Sequence, residues 1–336
     1  MRRNEVVVIT GASAGVGRAA VREFARHGAR IGLIARGRDR LEAARREVLQ
    51  AGGEALVLPC DVSDPDALEA MAQQAEEQLG PIDVWINDAM ATVFAEFKDI
   101  TPQEFKRVTE VTYLGQVYGT MSALRRMLTR DRGTIVNVGS ALAFRGIPLQ
   151  SAYCGAKHAI VGFSDSLRCE LAHDRRNIKL TVVHLPAMNT PQFTWGRNKM
   201  SRRSQPVPPI FEPEVAAEAI YWAAHHDRRE VFVGGPTFTV ITGQKIAPGL
   251  GDRYLARTGY DSQMFDGAPP ADQPDNLFEP APGDHAARGE FTGRASSYSA
   301  YTWATLNRPI AMALAAAAGL VGLGIAAGVR DGRRRR

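Results

Sequence analysis

Residues 6–17 read VVVITGASAGVG, a short β-branched run that passes into a turn containing Gly11, Gly15 and Gly17. The run predicts a buried strand, and the periodic apolar pattern of residues 16–27 predicts a helix directly after the turn. Glycines at such a turn let backbone N–H groups approach a pyrophosphate at the positive end of the helix. The stretch therefore predicts the opening strand and helix of a dinucleotide-binding α/β fold.

The same alternation of β-branched runs and amphipathic stretches continues from residue 5 to about residue 235. It favours a doubly wound parallel sheet, Rossmann-like, with helices on both faces. We expect one catalytic domain over residues 1–258. The predicted strands are Val6–Thr10, Arg30–Ala35, Ala55–Cys60, Val84–Asn87, Gly133–Val138, Lys179–His184 and Val231–Val233.

The chain changes character after the predicted domain. Residues 259–305 are rich in proline and poor in apolar residues, which predicts an extended and largely disordered linker. Residues 306–336 predict an apolar helix with an arginine-rich tail. Within it, residues 310–329 carry no charge, and a helix of that length reaches roughly 30 Å, the thickness of a hydrocarbon core.

We therefore expect residues 310–329 to associate with a membrane, with a soluble helix docked on a partner as the alternative. The topology stays open. Arginines after the segment place the C-terminus in the cytoplasm, and the chemistry below places the catalytic domain there too. One span cannot satisfy both, so the segment either translocates its tail or lies in the interface.

Charge and cysteine usage exclude two other function classes. The net charge is +5, but residues 330–336 hold five arginines and one aspartate, which leaves +1 for the rest of the chain. A basic tail of this kind does not predict a nucleic-acid partner. The three cysteines and seven histidines show no metal-ligand spacing, so we expect no metal and a reducing, cytoplasmic setting.

Two positions, near the ends of the second and third predicted strands, are predicted to bind the adenosine part of the dinucleotide. A strand ends at Arg36, where NAD-binding folds usually place an acid on the ribose hydroxyls. A guanidinium there suits a 2′-phosphate, so NADP(H) is predicted over NAD(H). Asp61 can accept a hydrogen bond from the adenine amino group, with Val62 packed on the ring. The alternative is that Asp61 caps the following helix.

The chemistry is predicted from Ser140, Tyr153 and Lys157. Tyr153 and Lys157 are four residues apart and therefore share one helix face. A phenol with a pKa of about 10 is a poor acid–base catalyst near pH 7. A nearby ammonium stabilises the phenolate and lowers that pKa.

The motif TGxxxGxG at residues 10–17 is followed along the chain by the motif YxxxK at residues 153–157. This succession of motifs resembles the short-chain dehydrogenase/reductase superfamily, over about residues 4–235. The resemblance implies that Tyr153 is the proton donor or acceptor, that Lys157 binds the nicotinamide ribose, and that Ser140 binds the substrate oxygen. It also implies a small-molecule carbonyl or alcohol substrate and a homo-oligomer. The implied cofactor-binding residues are Thr10, Gly11, Ser13, Gly15, Val16, Gly17, Arg36, Asp61, Val62, Asn87, Ala89, Tyr153, Lys157, Pro186 and Thr190.

Three positions depart from the family's pattern. The family's NNAG motif reads Asn87–Asp88–Ala89–Met90, and the glycine after Pro186 is Ala187. Thr112 stands where the family has a catalytic Asn that supports a water in the proton relay. Thr112 is therefore the predicted catalytic residue at this position: its hydroxyl can also bind a water, but it is shorter than an Asn side chain, so the departure affects the proton relay and not the Ser140, Tyr153 and Lys157 core.

The loop after the sixth predicted strand is expected to cover the substrate. Phe193 and Trp195 suit an apolar pocket. Four basic residues of the same loop are expected either to bind an anionic group or to be solvated: Arg197, Lys199, Arg202 and Arg203. We expect an NADP(H)-dependent oxidoreductase acting on a hydrophobic substrate. The alternative is a membrane-attached dinucleotide-binding protein with weak or no turnover.

Overall fold

A computed structural model describes residues 4–270 and 273–314 of the chain. Seven parallel strands form the central sheet, in the order β7-β6-β5-β4-β1-β2-β3. This order confirms the predicted Rossmann-like parallel sheet. The strands are β1 (Val6–Thr10), β2 (Arg30–Ala35), β3 (Glu54–Pro59), β4 (Val84–Asn87), β5 (Gly133–Ser140), β6 (Ile178–Leu185) and β7 (Glu230–Phe232).

Helices cover both faces of the sheet. One apolar cluster joins one face to α1, α2 and α8, and a second joins the other face to α3, α5 and α6. Along β1, Val7 and Ile9 belong to the first cluster while Val6 and Val8 belong to the second, as the two-residue strand period requires. The helices are α1 (Gly15–Arg26), α2 (Arg38–Gln50), α3 (Pro65–Leu79), α4 (Pro102–Thr109), α5 (Gly115–Arg130), α6 (Ser151–His173), α7 (Gln192–Trp195), α8 (Pro213–His225), α9 (Gly235–Ile246), α10 (Pro248–Thr258) and α11 (Ala300–Leu306).

Local sequence explains where several helices begin. The Asp64 carboxylate accepts hydrogen bonds from two backbone N–H groups at the start of α3, and Pro65 takes the first helical position. Thr101 and Glu104 form a reciprocal capping box before α4. A π-helical turn, Glu110–Leu114, joins α4 to α5, and such turns are frequent at functional sites.

The described part of residues 259–305 does not follow the extended, disordered course predicted for it. From residue 273 onward it folds back along the catalytic domain, where Leu277, Ala287 and Phe291 are buried. Scattered apolar residues, each inserted into an existing cluster, hold the segment in place. These residues have no common period, so the sequence pattern did not reveal their packing.

The predicted membrane segment, residues 310–329, falls mostly outside the described residues. Across residues 4–270 and 273–314, no helix has the length and apolar character needed to span a bilayer. Residues 315–329 lie outside the description, so membrane attachment stays a prediction.

Candidate active site

The main cavity lies at the carboxyl ends of the strands and has a volume of about 750 Å³. In open α/β sheets ligands bind at this edge, where the strand order reverses. The glycine-rich turn lies on one wall, and the end of β5 with the start of α6 forms another. Of the predicted site residues, those lining the cavity are Gly11, Ser13, Gly15, Val16, Arg36, Asp61, Val62, Ala89, Ser140, Tyr153, Lys157, Pro186 and Thr190.

Two predicted cofactor ligands instead support the wall from behind. The Thr10 hydroxyl accepts hydrogen bonds from the backbone N–H groups of Asp88 and Ala89, at 3.1 and 3.2 Å. The Asn87 side chain lies in a buried network, where its amide nitrogen donates to Asn137 at 2.9 Å. Neither lines the cavity. Thr10 fixes the loop that follows β4, and Asn87 joins the end of β4 to β5.

The glycine-rich turn is packed too closely for side chains. A Cβ on Gly17 would lie 2.3 Å from the backbone oxygen of Gly11, and a Cβ on Gly11 would lie 2.9 Å from the nitrogen of Ala89. The start of α1 is thereby held against the loop after β4, with its first N–H groups at the cavity wall. This arrangement fits a pyrophosphate, because the positive end of a helix favours an anion. Gly17 belongs to this packing and does not line the cavity.

Ser140, Tyr153 and Lys157 meet at the cavity wall, as predicted. The Lys157 ammonium lies 5.5 Å from the centre of the Tyr153 ring and donates to the Val138 carbonyl oxygen at 2.7 Å. Burial raises the pKa of the Tyr153 phenol above its usual range, and a hydrogen bond with Ser140 acts in the opposite direction. The lowered phenol pKa expected from the spacing of Tyr153 and Lys157 is therefore wrong for this structure, because burial outweighs the opposing interaction and keeps the phenol protonated.

Asp88 is a charged neighbour of Lys157 that the sequence analysis did not assign. Burial lowers the pKa of Lys157 to about 8, and the Asp88 carboxylate opposes this shift. Burial likewise raises the pKa of Asp88 to about 7, against the attraction of Lys157 and a hydrogen bond from the Gly17 N–H group. The departure from NNAG at this position was the available signal, because an acid there adds a charge beside the YxxxK lysine.

Thr112 does not reach the catalytic side chains. Its hydroxyl donates to the Ala91 carbonyl oxygen and accepts from the Ala91 N–H group, both at 2.9 Å, and the residue is fully buried. Thr112 does not line the cavity. Its short side chain joins the π-helical turn to the loop after β4, and its part in catalysis stays a prediction.

The predicted adenosine end of the cavity is bordered by Arg36 and Asp61. The Arg36 guanidinium donates to three backbone carbonyl oxygens, those of Asn276, Leu277 and Phe278. Asp61 pairs with Arg107 and accepts from the hydroxyl of Ser63 at 2.8 Å. Sequence reasoning missed Arg107 because it lies on α4, 46 positions from Asp61.

Residues 275–291, which we call the strap, run along the outer side of the cavity. The Asn276 N–H group donates to the Trp195 carbonyl oxygen at 3.0 Å, at one end of the strap. In the middle, the Ala286 carbonyl oxygen accepts from the Gly15 N–H group at 3.1 Å. At the other end, the Phe291 N–H group donates to the Asn189 side chain at 3.0 Å. The strap thus contacts the cavity from the end of β2 to the loop after β6.

The opposite end of the cavity is mostly apolar. Phe193 and Trp195 both line the cavity, but the Trp195 ring lies 5.3 Å from the Arg40 guanidinium and so beside the adenosine end. Helices α9 and α10 add Val240, Leu250 and Tyr254 to the apolar end. Leu250 and Tyr254 are also 65% and 66% exposed, so an apolar surface continues outward from the cavity. A molecule with apolar parts suits this end.

The four basic residues of the loop after β6 are each paired with a carboxylate while staying half-buried or exposed. Arg197 and Lys199 both pair with the Glu104 carboxylate, at 2.9 and 2.7 Å. Arg202 pairs with Asp261 and Asp266, and Arg203 pairs with Glu290. These cations thus lie at the surface, as the solvated alternative predicted, and their ion pairs also attach the loop to α4 and to the C-terminal part of the chain.

Comparison with known proteins agrees with this geometry. Residues 5–200 match the profile of the short chain dehydrogenase family. An uncharacterized oxidoreductase of Bacillus subtilis is 32% identical over 323 residues, which cover 95% of this chain and 89% of the relative. A fatty acyl-CoA reductase of Acinetobacter baylyi is 29% identical over 228 residues, or 66% of this chain and 73% of that protein.

A solved structure shares the arrangement of the sheet and helices. The alcohol dehydrogenase of the archaeon Thermococcus sibiricus, complexed with 5-hydroxy-NADP, aligns with a TM-score of 0.60 and 26% identity. The alignment covers 69% of this chain and 96% of that one.

Proposed function

The chain belongs to the short-chain dehydrogenase family, and on that premise we propose that it interconverts a carbonyl and an alcohol with NADP(H), acting on a hydrophobic substrate. Its family makes it an oxidoreductase of the CH–OH/C=O pair. One observation carries the mechanism: Ser140, Tyr153 and Lys157 line a cavity that the glycine-rich turn also lines. This arrangement does not favour the alternative of a binding protein without turnover.

Each side chain has a defined task in the proposed reaction. A bound nicotinamide cofactor supplies or accepts the hydride. Tyr153 gives its phenolic proton to the substrate oxygen in reduction, and burial keeps the phenol protonated for that step. The Ser140 hydroxyl orients the same oxygen, and the Lys157 ammonium stabilises the phenolate that remains.

The preference for NADP(H) is supported by two cations near the end of β2. Arg36 and Arg40 line the cavity, and the stretch from Arg36 to Arg38 contains no carboxylate for ribose hydroxyls. A guanidinium binds a phosphate through two parallel hydrogen bonds. The Thermococcus sibiricus enzyme was solved with an NADP derivative, which is consistent with this proposal.

A hydrophobic substrate is supported by the apolar end of the cavity and by its exposed continuation on α9 and α10. The name of the Acinetobacter baylyi relative, a fatty acyl-CoA reductase, points in the same direction. We also propose a homo-oligomer in the cytoplasm, by resemblance to the family.

The reaction is tested with the purified full chain and a series of aldehydes and ketones of increasing chain length. We expect NADPH to be consumed faster than NADH, and kcat/KM to rise with chain length because each buried methylene adds about 0.8 kcal/mol. The measurement is nicotinamide absorbance, with and without liposomes. Turnover restricted to small soluble ketones, or equal rates with both cofactors, would contradict the substrate or the cofactor proposal respectively.

Replacing Asp88 with Asn should move the alkaline limb of the pH profile to lower pH. Lys157 is charged below its pKa, about 8, and loses its charge as the pH rises through that value. The Asp88 carboxylate favours the ammonium, so its removal lowers the pKa of Lys157, by roughly one unit. An Asn side chain keeps an acceptor for the Gly17 N–H group. The measurement is kcat/KM from pH 6 to 10.

Asp174→Asn is the matched control, because Asp174 is exposed at the end of α6. We expect that variant to keep the pH profile of the unmodified chain. An alkaline limb that stays in place in Asp88→Asn, or moves to higher pH, would show that Asp88 does not act on the charge of Lys157.

A further inference from the structure

The strap places acceptor oxygens where the cofactor's anionic groups are proposed to bind. Nη1 of Arg36 donates to the Phe278 carbonyl oxygen at 2.6 Å and to that of Leu277 at 3.5 Å, while Nη2 donates to that of Asn276. At the glycine-rich turn, the Gly15 N–H group donates to the Ala286 carbonyl oxygen. Both groups that would bind phosphate oxygens therefore already bind oxygens of the strap.

The carbonyl oxygens of the strap occupy both terminal nitrogens of Arg36, Nη1 and Nη2. A guanidinium offers five N–H donors in a fixed planar fork, and a bidentate phosphate needs two of them in parallel. A phosphate is the stronger acceptor for Arg36, because its bonds to the guanidinium join two opposite charges in a bidentate fork, whereas a carbonyl oxygen carries no net charge. A phosphate that binds through the parallel pair on Nη1 and Nη2 therefore displaces the carbonyls from that pair.

We propose that the carbonyl groups of Asn276–Phe278 hold the 2′-phosphate position on Arg36, and that a 2′-phosphorylated adenosine binds by displacing them. The inference rests on the proposed use of NADP(H). It makes this part of the strap a determinant of cofactor specificity. A nucleotide without the 2′-phosphate has no group that competes for Arg36 and leaves the strap in place.

Leu277 is the anchor of this part of the strap. Its side chain is fully buried in the cluster that contains Val62, and its carbonyl oxygen accepts from Nε of Arg107 at 2.9 Å. The Asp275 carboxylate closes the local turn by accepting from the Leu277 N–H group at 2.8 Å. Because the anchor favours the closed strap, it lowers the fraction of molecules with a free Arg36 and weakens the apparent affinity by that fraction.

The test uses the full chain and two probes that differ only in the 2′-phosphate, 2′,5′-ADP and 5′-AMP. Leu277→Ala shortens the anchor and should make 2′,5′-ADP bind about tenfold more tightly, with little change for 5′-AMP. The matched control is Leu49→Ala, the same change at an exposed position of α2. Calorimetry gives both dissociation constants, and thermal unfolding confirms that each variant is folded.

Amide hydrogen exchange of the unmodified chain gives a second readout that needs no substitution. The N–H groups of Asn276 and Leu277 are both hydrogen-bonded in the closed strap. We expect 2′,5′-ADP to accelerate their exchange and 5′-AMP to leave it unchanged.

Three results overturn the inference, and they differ in kind. If 2′,5′-ADP is preferred but slows exchange at Asn276 and Leu277, or binds more weakly to Leu277→Ala, the strap clamps the cofactor and does not compete with it. If 2′,5′-ADP is preferred but exchange stays unchanged, the strap does not move. If neither probe is preferred by any variant, the proposed use of NADP(H) fails and the inference fails with it.

Discussion

Tyr153→Phe should lower kcat/KM by roughly 10²–10⁴-fold while leaving cofactor affinity unchanged, because proton transfer from a positioned side chain contributes about that much. The substitution removes one hydroxyl group and keeps the ring whose centre lies 5.5 Å from the Lys157 ammonium. The cavity wall keeps its shape, so the loss falls on the chemical step. Steady-state rates and 2′,5′-ADP affinity, measured on the same preparation, separate the two effects.

The control is Tyr254→Phe, which removes the same hydroxyl group at the apolar end of the same cavity. Tyr254 is 66% exposed, and we expect its variant to keep most of the activity. Turnover that survives in Tyr153→Phe, or falls equally in both variants, would remove Tyr153 from the mechanism.

Gly17→Ala should destabilise the protein by about 1–3 kcal/mol and weaken cofactor binding, as overpacking at a close contact does. The added Cβ would lie 2.3 Å from the Gly11 oxygen and 2.7 Å from the Gly11 carbonyl carbon, and neither backbone atom can move aside without opening the turn. The Asp88 carboxylate, 2.9 Å from the same point, would be displaced as well. Denaturant unfolding and 2′,5′-ADP binding measure the two effects.

Gly249→Ala provides the comparison, because nothing lies within 4 Å of a Cβ added to Gly249 in α10. Replacing a compatible Gly with Ala restricts the unfolded chain and stabilises by about 0.4–1 kcal/mol. If Gly17→Ala lowers the free energy of unfolding and Gly249→Ala raises it, the destabilisation arises at the glycine-rich turn. Equal stability of Gly17→Ala and the unmodified chain would show that the turn tolerates a side chain.

The sheet was predictable because each strand carries its own signal. Val6–Thr10, Arg30–Ala35 and Val84–Asn87 begin and end where predicted. Other strands differ by one or two residues: β3, for example, is Glu54–Pro59 against the predicted Ala55–Cys60. Burial on both faces produces continuous apolar runs, and these are local in the sequence.

The catalytic wall was also predictable, since Tyr153 and Lys157 share one helix and Ser140 ends the preceding strand. The contact made by Thr112 was not predictable, because its hydrogen-bond partner is the backbone of Ala91, 21 positions away. Backbone groups carry no sequence signature, so a pattern cannot show which side chain will bind them.

The same reason limited the prediction at the adenosine end. Arg36 was recognised from its place at the end of β2, but its three partners are carbonyl groups that any residues could supply. Leu277 is a single apolar residue in a stretch rich in proline, and one residue gives no period. Low apolar content predicts disorder for a segment on its own, and it takes no account of a surface elsewhere in the fold on which single apolar residues can be buried.

The strap also sets an order of events during synthesis. Arg36 and Asn276 are 240 positions apart, and their contact is among the last that the growing chain can make. At roughly 5–20 residues per second, the ribosome needs on the order of 12–48 s to add that stretch. Throughout this interval the β1–α1 turn and the end of β2 are already made while the segment that will cover them is not. On the proposed competition, this interval is the time in which the donors of a nascent chain have no strap to bind.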